Sequence, residues 1–340
     1  MASKSFRAAI NEALKLEMRR DNRVIVMGED VAGGRGGSAN VEEAWGGPFG
    51  MTRGLYKEFG AARVLDTPIT ESAFVGATAG AAMTGLRPVA EVMFVDFTGV
   101  CFDQIMNQIA KIRYMFGGKA KLPLVIRMLY GAGYRAGAQH SQCLYPIYTH
   151  LPGLKVAVPS NPHDAKGLLI SAIRDEDPVL FFEHKAILGM KGEVPDEAYE
   201  VPLGKANIVR AGKDVTVVAI GRMVHMAEKA AAALAKEGID CEVIDPRTTS
   251  PLDTALILAS VRKTGRLVAV DEAYPRCNMA TDIAALAAQE AFGSLRAPVR
   301  MVSPPHVPVP FAAPLEDLYI PNADKVAEAV RATVKHTPSS

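Results

Sequence analysis

Short apolar runs alternate with segments of helical periodicity along the first half of the chain. The runs are rich in β-branched residues and predict strands in five places: RVIVMGED, RVLDTPITE, RPVAEVMFVDF, LPLVIRM and LKVAVPS. Between them, ESAFVGATAGAAMTG and DQIMNQIAKIRYM repeat apolar residues at the helical period, and Asn161 or a neighbour caps a further helix that stops before Pro178. This alternation predicts a mostly parallel sheet with helices on both faces.

The alternation is interrupted between residues 186 and 205 and then starts again. The segment KGEVPDEAYEVPLGKA is polar, contains two prolines and lacks a helical period, so we interpret 186–205 as a linker. Strands and helices then return in DVTVVAIG, RMVHMAEKAAAALAKEG, IDCEVIDPR, RLVAVDEA and MATDIAALAAQEAFG. The pattern therefore predicts an α/β fold class with two three-layer domains, 1–185 and 206–340, and the proline-rich SPPHVPVPFAAP extended on the surface of the second.

The composition is that of an ordinary globular protein. The chain has 340 residues, 22% of them charged, and a formal net charge of +1. This length is sufficient for two domains, each with its own hydrophobic core. Because no basic or acidic block occurs, we do not expect nucleic acid or an anionic membrane as a partner held by bulk charge. The four cysteines are scattered without metal-binding spacing, and no signal peptide or membrane span is evident. We expect a cytoplasmic protein with reduced thiols.

The common signatures of phosphate, acyl and zinc chemistry are missing from the sequence. Gly34, Gly36 and Ala39 have the spacing of a dinucleotide-binding fingerprint, but residues 29–31 separate them from the preceding strand, so we interpret them as a loop. An NAD dehydrogenase acting alone is disfavoured on this ground. The sequence also contains no G-x-x-x-x-G-K-[ST], G-x-S-x-G or H-E-x-x-H motif.

Four residues of functional interest follow predicted strands, where open parallel sheets bind ligands. Glu71 opens a helix, and it is either a first-turn carboxylate favoured by the helix dipole or a proton-exchanging partner of a ligand nitrogen. Met93 and Phe97 end the next strand, as core residues or as ligand contacts. His140 follows the glycine-rich GAGYRAG and is either a solvated loop histidine or a proton-transfer group on a mobile loop.

Longer segments resemble one enzyme family over essentially the whole chain. This chain resembles the β subunit of the thiamin-diphosphate-dependent E1 component of 2-oxoacid dehydrogenase complexes. The similar segments are VMGEDV, TPITE, GLRPVAEVMFVDF, DQIMNQIAKIRYMFGG, AQHSQ, PSNPHDAKGLLISAIRDEDPV and DPRTTSPLD. The acetoin dehydrogenase branch of that family resembles this chain further in AWGGPFGMTRGLY, GAGYRAGAQHSQ, GRMVHMA and PRCNMATDI. The resemblance implies a transketolase-like fold with a pyrimidine-binding domain and a C-terminal domain.

The resemblance also implies a role for each candidate residue. Glu71 matches the carboxyl that bonds the pyrimidine N1′ of thiamin diphosphate and drives the imino tautomer, which removes the thiazolium C2 proton. Met93 and Phe97 match contacts to the cofactor, with Phe97 stacked on the pyrimidine ring. His140 matches the residue that exchanges protons with the substrate, the covalent intermediate or the dihydrolipoyl sulfur.

The implied reaction is the cleavage of acetoin to acetaldehyde, with transfer of the remaining two-carbon unit to lipoamide on an E2 acyltransferase. Two alternatives stay open at this point. The substrate could instead be pyruvate or a branched-chain 2-oxo acid, whose carboxylate needs a cation or several donors. The chain could also be a non-catalytic assembly subunit.

Partners and metals are implied in the same way. Thiamin enzymes hold the diphosphate through Mg²⁺ with a G-D-G motif that this sequence lacks, so the resemblance implies an α subunit that supplies it, in an α₂β₂ heterotetramer. The second domain would then support dimerisation and docking to E2. The positions that match a structural K⁺ site in related chains are Leu124, Ala172, Ile173, Asp175 and Asp177. Related chains often have asparagine at the last position, and the two aspartates could simply end a helix in a polar turn.

Overall fold

The structure, a computed structural model, describes residues 2–33 and 46–336. The chain forms two compact units: residues up to Tyr130 together with Ile147–Leu203, and Gly131–Pro146 together with the residues from Gly204 onward. We call them the first and the second unit. The loop predicted at 34–39 lies outside the described residues.

The first unit is built from alternating strands and helices. In chain order its elements are β1 (Ala2–Ser5), α1 (Phe6–Arg20), β2 (Val24–Gly28), α2 (Leu55–Phe59), β3 (Val64–Asp66), α3 (Glu71–Met83), β4 (Arg87–Phe94), α4 (Ile112–Met115), β5 (Val125–Tyr130), β6 (Lys155–Ala157), α6 (Pro162–Arg174), β7 (Val179–His184) and β8 (Lys191–Val194). A short helix, α5 (Tyr145–Thr149), spans the point at which the chain returns to this unit.

The sheet of the first unit has the strand order β6-β7-β5-β4-β2-β3, and all neighbouring strands are parallel. Strands β2, β5 and β7 are buried along their whole length, as expected of a parallel sheet that is covered on both faces. The chain leaves β2 toward β3 on one side and leaves β4 toward β5 on the other. The carboxyl ends of β2 and β4 therefore form a topological switch point, the usual ligand site of such sheets.

The helices begin where the sequence offers caps. The side chain of Asn161 accepts from the Asp164 amide at 2.8 Å, Pro162 follows at the first helical position, and α6 ends at Arg174 before Pro178. The segment DQIMNQIAKIRYM is not one regular helix, because it divides into a π-helix over Gln104–Ile109 and the short α4. The segment is helical, as its period predicts, but the change from π-helix to α-helix within it was not predicted.

The interval 186–205 does not form a separate linker in the structure. Strand β8 pairs antiparallel with β1, and Val194 and Val201 are buried in the first unit. The fully buried Lys166 Nζ donates to the carbonyl oxygens of Pro195 at 2.5 Å and Asp196 at 3.1 Å. Polar composition suggested a linker, but these backbone carbonyls instead satisfy an ammonium group that the fold buries.

The second unit has its own parallel sheet and core. Its elements are β9 (Asn207–Arg210), β10 (Val215–Ala219), α7 (Met223–Ala235), β11 (Cys241–Asp245), β12 (Thr248–Ser250), α8 (Thr254–Thr264), β13 (Leu267–Val270), α9 (Met279–Glu290), β14 (Arg300–Val302), α10 (Ala313–Tyr319) and α11 (Ala323–Val334). The order β14-β13-β10-β11-β9 is parallel except at the edge strand β9. The predicted α/β class with mostly parallel sheets is confirmed.

Two further observations bear on the expectations from sequence. Residues 131–146 belong to the second unit, although the prediction included them in a first domain ending at 185. Within the described ranges, no helix is both long and apolar enough to cross a bilayer.

Candidate active site

The candidate site lies at the carboxyl ends of β2, β3 and β4. Gly28 ends β2 with φ at +154°, and a Cβ atom there would lie 2.6 Å from the carbonyl oxygen of Glu91 on β4. The carbonyl of Gly28 accepts from the amide of Thr67, just beyond β3, at 2.9 Å. Only glycine permits this close approach, and it brings the residues that follow the three strands together.

Glu71 is the first residue of α3, and its side chain is buried, with 7% exposed. The positive end of the helix dipole favours a carboxylate in this first turn. The described residues donate no hydrogen bond to that carboxylate. Ser72, the next residue, donates from Oγ to the carbonyl of Val100 at 2.6 Å, which fixes the start of α3 beside the 3₁₀ turn Val95–Gly99 that contains Phe97.

A second carboxyl group shares this environment. Glu29 directly follows β2 and is 8% exposed. Burial, and secondarily the negative charges of Glu71 and Asp30, raise the pKa of Glu29 from 4.5 to about 6. Burial likewise raises the pKa of the Cys101 thiol to about 12, with a contribution from Glu71. The negative charge of Glu71 therefore acts on both groups.

Several buried polar atoms around the strand ends have no hydrogen-bond partner among the described residues. They are Oε1 of Glu29, directly after β2, and Oγ1 of Thr67, directly after β3; Oε1 of Gln104, in the π-helix beside α3, is unpaired as well. Buried polar atoms are normally paired, so unpaired ones beside the switch point are available to a polar ligand or a partner. The chemistry suits a ligand with ring nitrogens, because carboxyl groups can both accept from and donate to such atoms.

Met93 and Phe97 are both half-buried at the end of β4 and in the turn that follows. The Phe97 ring meets the Phe94 ring edge to face, with centroids 5.5 Å apart, and Phe94 meets Phe49 in the same way at 5.6 Å. A flat apolar ring of a ligand could extend this aromatic cluster. The bond from Ser72 to Val100 places the turn that contains Phe97 beside the start of α3, and a shared cofactor contact by Glu71, Met93 and Phe97 stays a prediction.

Sequence reasoning missed a buried ion network behind the site. Arg127 on β5 is 1% exposed and donates to Glu91 on β4 at 2.8 Å and to Glu183 on β7 at 2.7 and 2.8 Å. The three residues lie on neighbouring parallel strands, with Glu91 directly opposite Arg127 and Glu183 opposite Leu129. Their spacing in sequence gives no signal of this pairing, although a charged residue inside the apolar run LPLVIRM could have drawn attention.

His140 belongs to the second unit, whereas Glu71, Met93 and Phe97 belong to the first. Its segment forms a closed loop, because the amide of Gly131 donates to the carbonyl of Gln142 at 3.0 Å. His140 is half-buried, and its amide donates to the carbonyl of Gly137 at 3.4 Å. The loop therefore has defined structure within its own unit.

The positions matched to a potassium site lie together at the end of α6 and before β5. Protein cations interact with several of them: Arg87 Nη1 donates to the carbonyls of Ile173 at 2.9 Å and Asp175 at 3.0 Å. Lys155 Nζ lies 2.7 Å from the Asp175 carboxylate, and Arg113 pairs with Asp177.

The remaining potassium-site carbonyls also have partners. Those of Leu124 and Ala172 accept from backbone amides at 3.0 and 3.3 Å. A potassium ion would need Arg87 or Lys155 to move away, so this site stays a prediction. No group of three or more His, Cys, Asp or Glu side chains suited to a metal occurs in residues 2–33 and 46–336.

Comparison with known proteins defines the class first. Residues 2–191 match the transketolase pyrimidine-binding domain family, and residues 204–326 match the transketolase C-terminal domain family. The solved structure of a split-gene transketolase, an inactive β4 tetramer, superimposes with a TM-score of 0.76 and 24% identity, covering 97% of this chain and 98% of that one. At this identity the superposition establishes the fold.

Sequence relatives then give the family. The β subunit of acetoin:2,6-dichlorophenolindophenol oxidoreductase is 62% identical in Cupriavidus necator, over 97% of both chains, and 58% identical in Bacillus subtilis, over 94% of this chain and 93% of that one. The pyruvate dehydrogenase E1 β subunit of Rhizobium meliloti is 47% identical over 98% of this chain and 70% of its own length. This chain belongs to the family of β subunits of thiamin-diphosphate-dependent E1 components.

Proposed function

We propose that the chain is the β subunit of an acetoin dehydrogenase E1 component. With its α subunit it would cleave acetoin to acetaldehyde and deliver the two-carbon unit to the lipoyl group of an E2 acyltransferase. The single observation that carries this proposal is the buried Glu71 at the start of α3, beside unpaired polar atoms at the switch point. The identity to the two acetoin-named β subunits supports the choice of substrate.

Thiamin diphosphate, when bound, supplies a carbon nucleophile for the substrate carbonyl and accepts the electron pair of the broken carbon–carbon bond. The residues that would hold its pyrimidine are Glu71, Met93 and Phe97. The Glu71 carboxyl would lie against the ring nitrogen N1′ and exchange a proton with it, since the described residues offer that carboxylate no competing donor. Met93 and the Phe97 ring would pack against the ring and exclude water.

His140 would exchange a proton with the substrate oxygen or with the lipoyl sulfur. Its position in a closed loop with three positive-φ glycines, Gly131, Gly133 and Gly137, supports a role in which backbone geometry presents the ring.

The diphosphate and its Mg²⁺ would be held by the α subunit, in an α₂β₂ assembly. The sequence contains no G-D-G motif, and the described residues contain no suitable cluster of metal ligands. Exposed apolar side chains on the first unit, such as Tyr114 at 87% and Ile69 at 81%, are consistent with a surface covered by another chain.

The substrate proposal is tested by coexpressing both subunits. Turnover of acetoin and of pyruvate is measured with thiamin diphosphate, Mg²⁺ and 2,6-dichlorophenolindophenol as electron acceptor. Acetoin is neutral, whereas a 2-oxo acid brings a carboxylate that needs charged donors. We expect a clear preference for acetoin in kcat/KM, and a preference for pyruvate would reject the proposal.

The catalytic role is tested by Glu71→Ala in the same assembly. A catalytic Glu71 predicts loss of nearly all turnover with assembly retained, whereas a subunit used only for assembly would lose no activity. Glu58→Gln is the matched control, because it removes a carboxylate of the same unit that pairs with Arg19 at the surface. Full activity in Glu71→Ala would refute the assignment.

A further inference from the structure

The His140 loop is held by carboxylates that are far away in sequence but lie in the same unit. The loop is closed by the bond between Gly131 and Gln142. At its start, the amide of Ala132 donates to Glu272 Oε1 at 2.7 Å. Beyond its end, the hydroxyl of Tyr145 donates to the buried Asp271. Both flanks of the loop are therefore anchored to the residues that follow β13.

Glu316 on α10 bonds the loop at two residues, Gly133 and Arg135. Its side chain is completely buried, and its carboxylate accepts from the amides of Gly133 at 2.7 Å and Arg135 at 3.2 Å. The Arg135 guanidinium adds a bond to the same carboxylate at 2.7 Å. Charge-assisted bonds are stronger than bonds between neutral groups, and two of the three fix the backbone itself.

The backbone at these positions is unusual and requires such support. Gly133 has φ at +95°, and a Cβ atom there would lie 2.6 Å from Arg222 Nη1. Arg135 adopts φ at +58°, which costs energy for a residue with a side chain. The carboxylate of Glu316 bonds both residues, so it selects this loop conformation over relaxed ones.

We propose that Glu316 is a positioning residue for His140. It would act from the second unit, by fixing the first half of the loop whose second half presents the histidine ring. The inference rests on the catalytic role proposed for His140.

The test uses the assembled α and β subunits with thiamin diphosphate and compares Glu316→Gln with Glu237→Gln. The latter is a matched control, because Glu237 pairs with Arg331 on the exposed surface of the same unit. We expect Glu316→Gln to lower kcat by about tenfold to a hundredfold, the cost of a displaced catalytic group, with KM for acetoin nearly unchanged. The control should retain kcat within twofold.

Two further measurements separate positioning from general destabilisation. Hydrogen exchange should accelerate at the amides of Gly133 and Arg135 in Glu316→Gln and not in the control. In a His140→Ala background, Glu316→Gln should produce no further loss of kcat, because the group that it positions is gone. If Glu316→Gln does not fold, Arg135→Ala weakens the same contact from its exposed side and should lower kcat severalfold.

The outcomes distinguish this inference from the proposed function. The positioning role would be overturned, with His140 still catalytic, if kcat were unchanged in both Glu316→Gln and Arg135→Ala. It would also be overturned if Glu316→Gln lowered kcat as much in the His140→Ala background as it does in the presence of His140. Full turnover in His140→Ala would overturn the role of His140 itself and the inference with it. Unchanged exchange at both amides would overturn the contact on which the inference rests.

Discussion

Two groups of buried carboxylates differ in how they are satisfied. Glu91 and Glu183 share Arg127, and Glu316 accepts three hydrogen bonds from the loop that carries His140. Glu71 and Glu29, by contrast, have no hydrogen-bond donor on their carboxylates among the described residues. A buried carboxylate surrounded by donors stabilises the conformation that supplies them, whereas one without donors costs stability.

This difference indicates where a ligand belongs. A fold retains an unsatisfied buried carboxyl when another molecule completes it or when its proton is used. The saturated carboxylates are therefore expected to determine stability and geometry, and the unsaturated ones to determine chemistry. Substitutions in the two groups should separate these effects.

The largest effect on stability is expected for Arg127→Met. It would leave Glu91 and Glu183 buried without their cation, which typically costs about 3–5 kcal/mol. Urea unfolding of the full chain measures the loss. Adding Glu183→Gln to the variant should recover part of it, because one uncompensated charge is removed. A loss below about 1 kcal/mol would show that the network does not support the sheet.

Glu71→Gln should behave in the opposite way. Because no donor among the described residues is lost, we expect its free energy of unfolding to equal or exceed that of the wild type. Turnover should fall by about a hundredfold or more, as for loss of a proton-transfer group. Kinetics of the assembled enzyme and urea unfolding, measured on the same preparation, check the two parts. If the free energy of unfolding fell together with turnover, Glu71 would belong with the hydrogen-bonded carboxylates such as Glu183 and Glu316.

The sequence predicted features that depend on neighbouring residues. The cap at Asn161, the strand ends near Glu71 and Met93 and the parallel α/β alternation follow from period, caps and breakers within short windows. The family resemblance added the match of Glu71 to a cofactor contact. These features need no knowledge of distant partners.

Contacts between distant residues could not be predicted in this way. Glu316 bonds Gly133 across 183 positions, and Glu272 bonds Ala132 across 140. Nothing near residue 131 reveals that its loop joins the second unit. Likewise, no local pattern shows that Lys166 binds the carbonyls after β8, so a segment of linker-like composition was assigned as a linker. Many carboxylates could pair with each cation, and only the fold selects one.

A moderate effect, with a pH signature, is expected for Glu29→Gln. The folded state raises the pKa of Glu29 from 4.5 to about 6, so it holds the carboxyl proton more tightly than the unfolded chain. The contribution of this proton to the free energy of unfolding is therefore fully present below pH 4.5 and is lost as the pH rises through 6. The glutamine is neutral throughout, so the variant should exceed the wild type by about 1–2 kcal/mol at pH 8.

Urea unfolding at pH 5 and pH 8 measures that difference. Glu58→Gln provides a control of opposite sign, because Arg19 lowers the pKa of Glu58 through a side-chain hydrogen bond. Replacing Glu58 should slightly lower the free energy of unfolding at pH 8. If the difference in free energy of unfolding between Glu29→Gln and the wild type were the same at both pH values, Glu29 would belong with the hydrogen-bonded carboxylates.

The smallest effect is expected for Asp317→Asn, at the exposed end of the loop contact. Arg135 donates to Asp317 at 2.6 Å and to Glu316 at 2.7 Å, but Asp317 is 63% exposed whereas Glu316 is fully buried. Water screens the outer pair, which is therefore worth only a few tenths of a kcal/mol. Turnover of Asp317→Asn should stay within twofold of the wild type, and that residual difference should shrink as salt is added. If Asp317→Asn lowered kcat as much as Glu316→Gln, the guanidinium of Arg135 rather than the backbone bonds of the buried carboxylate would fix the loop.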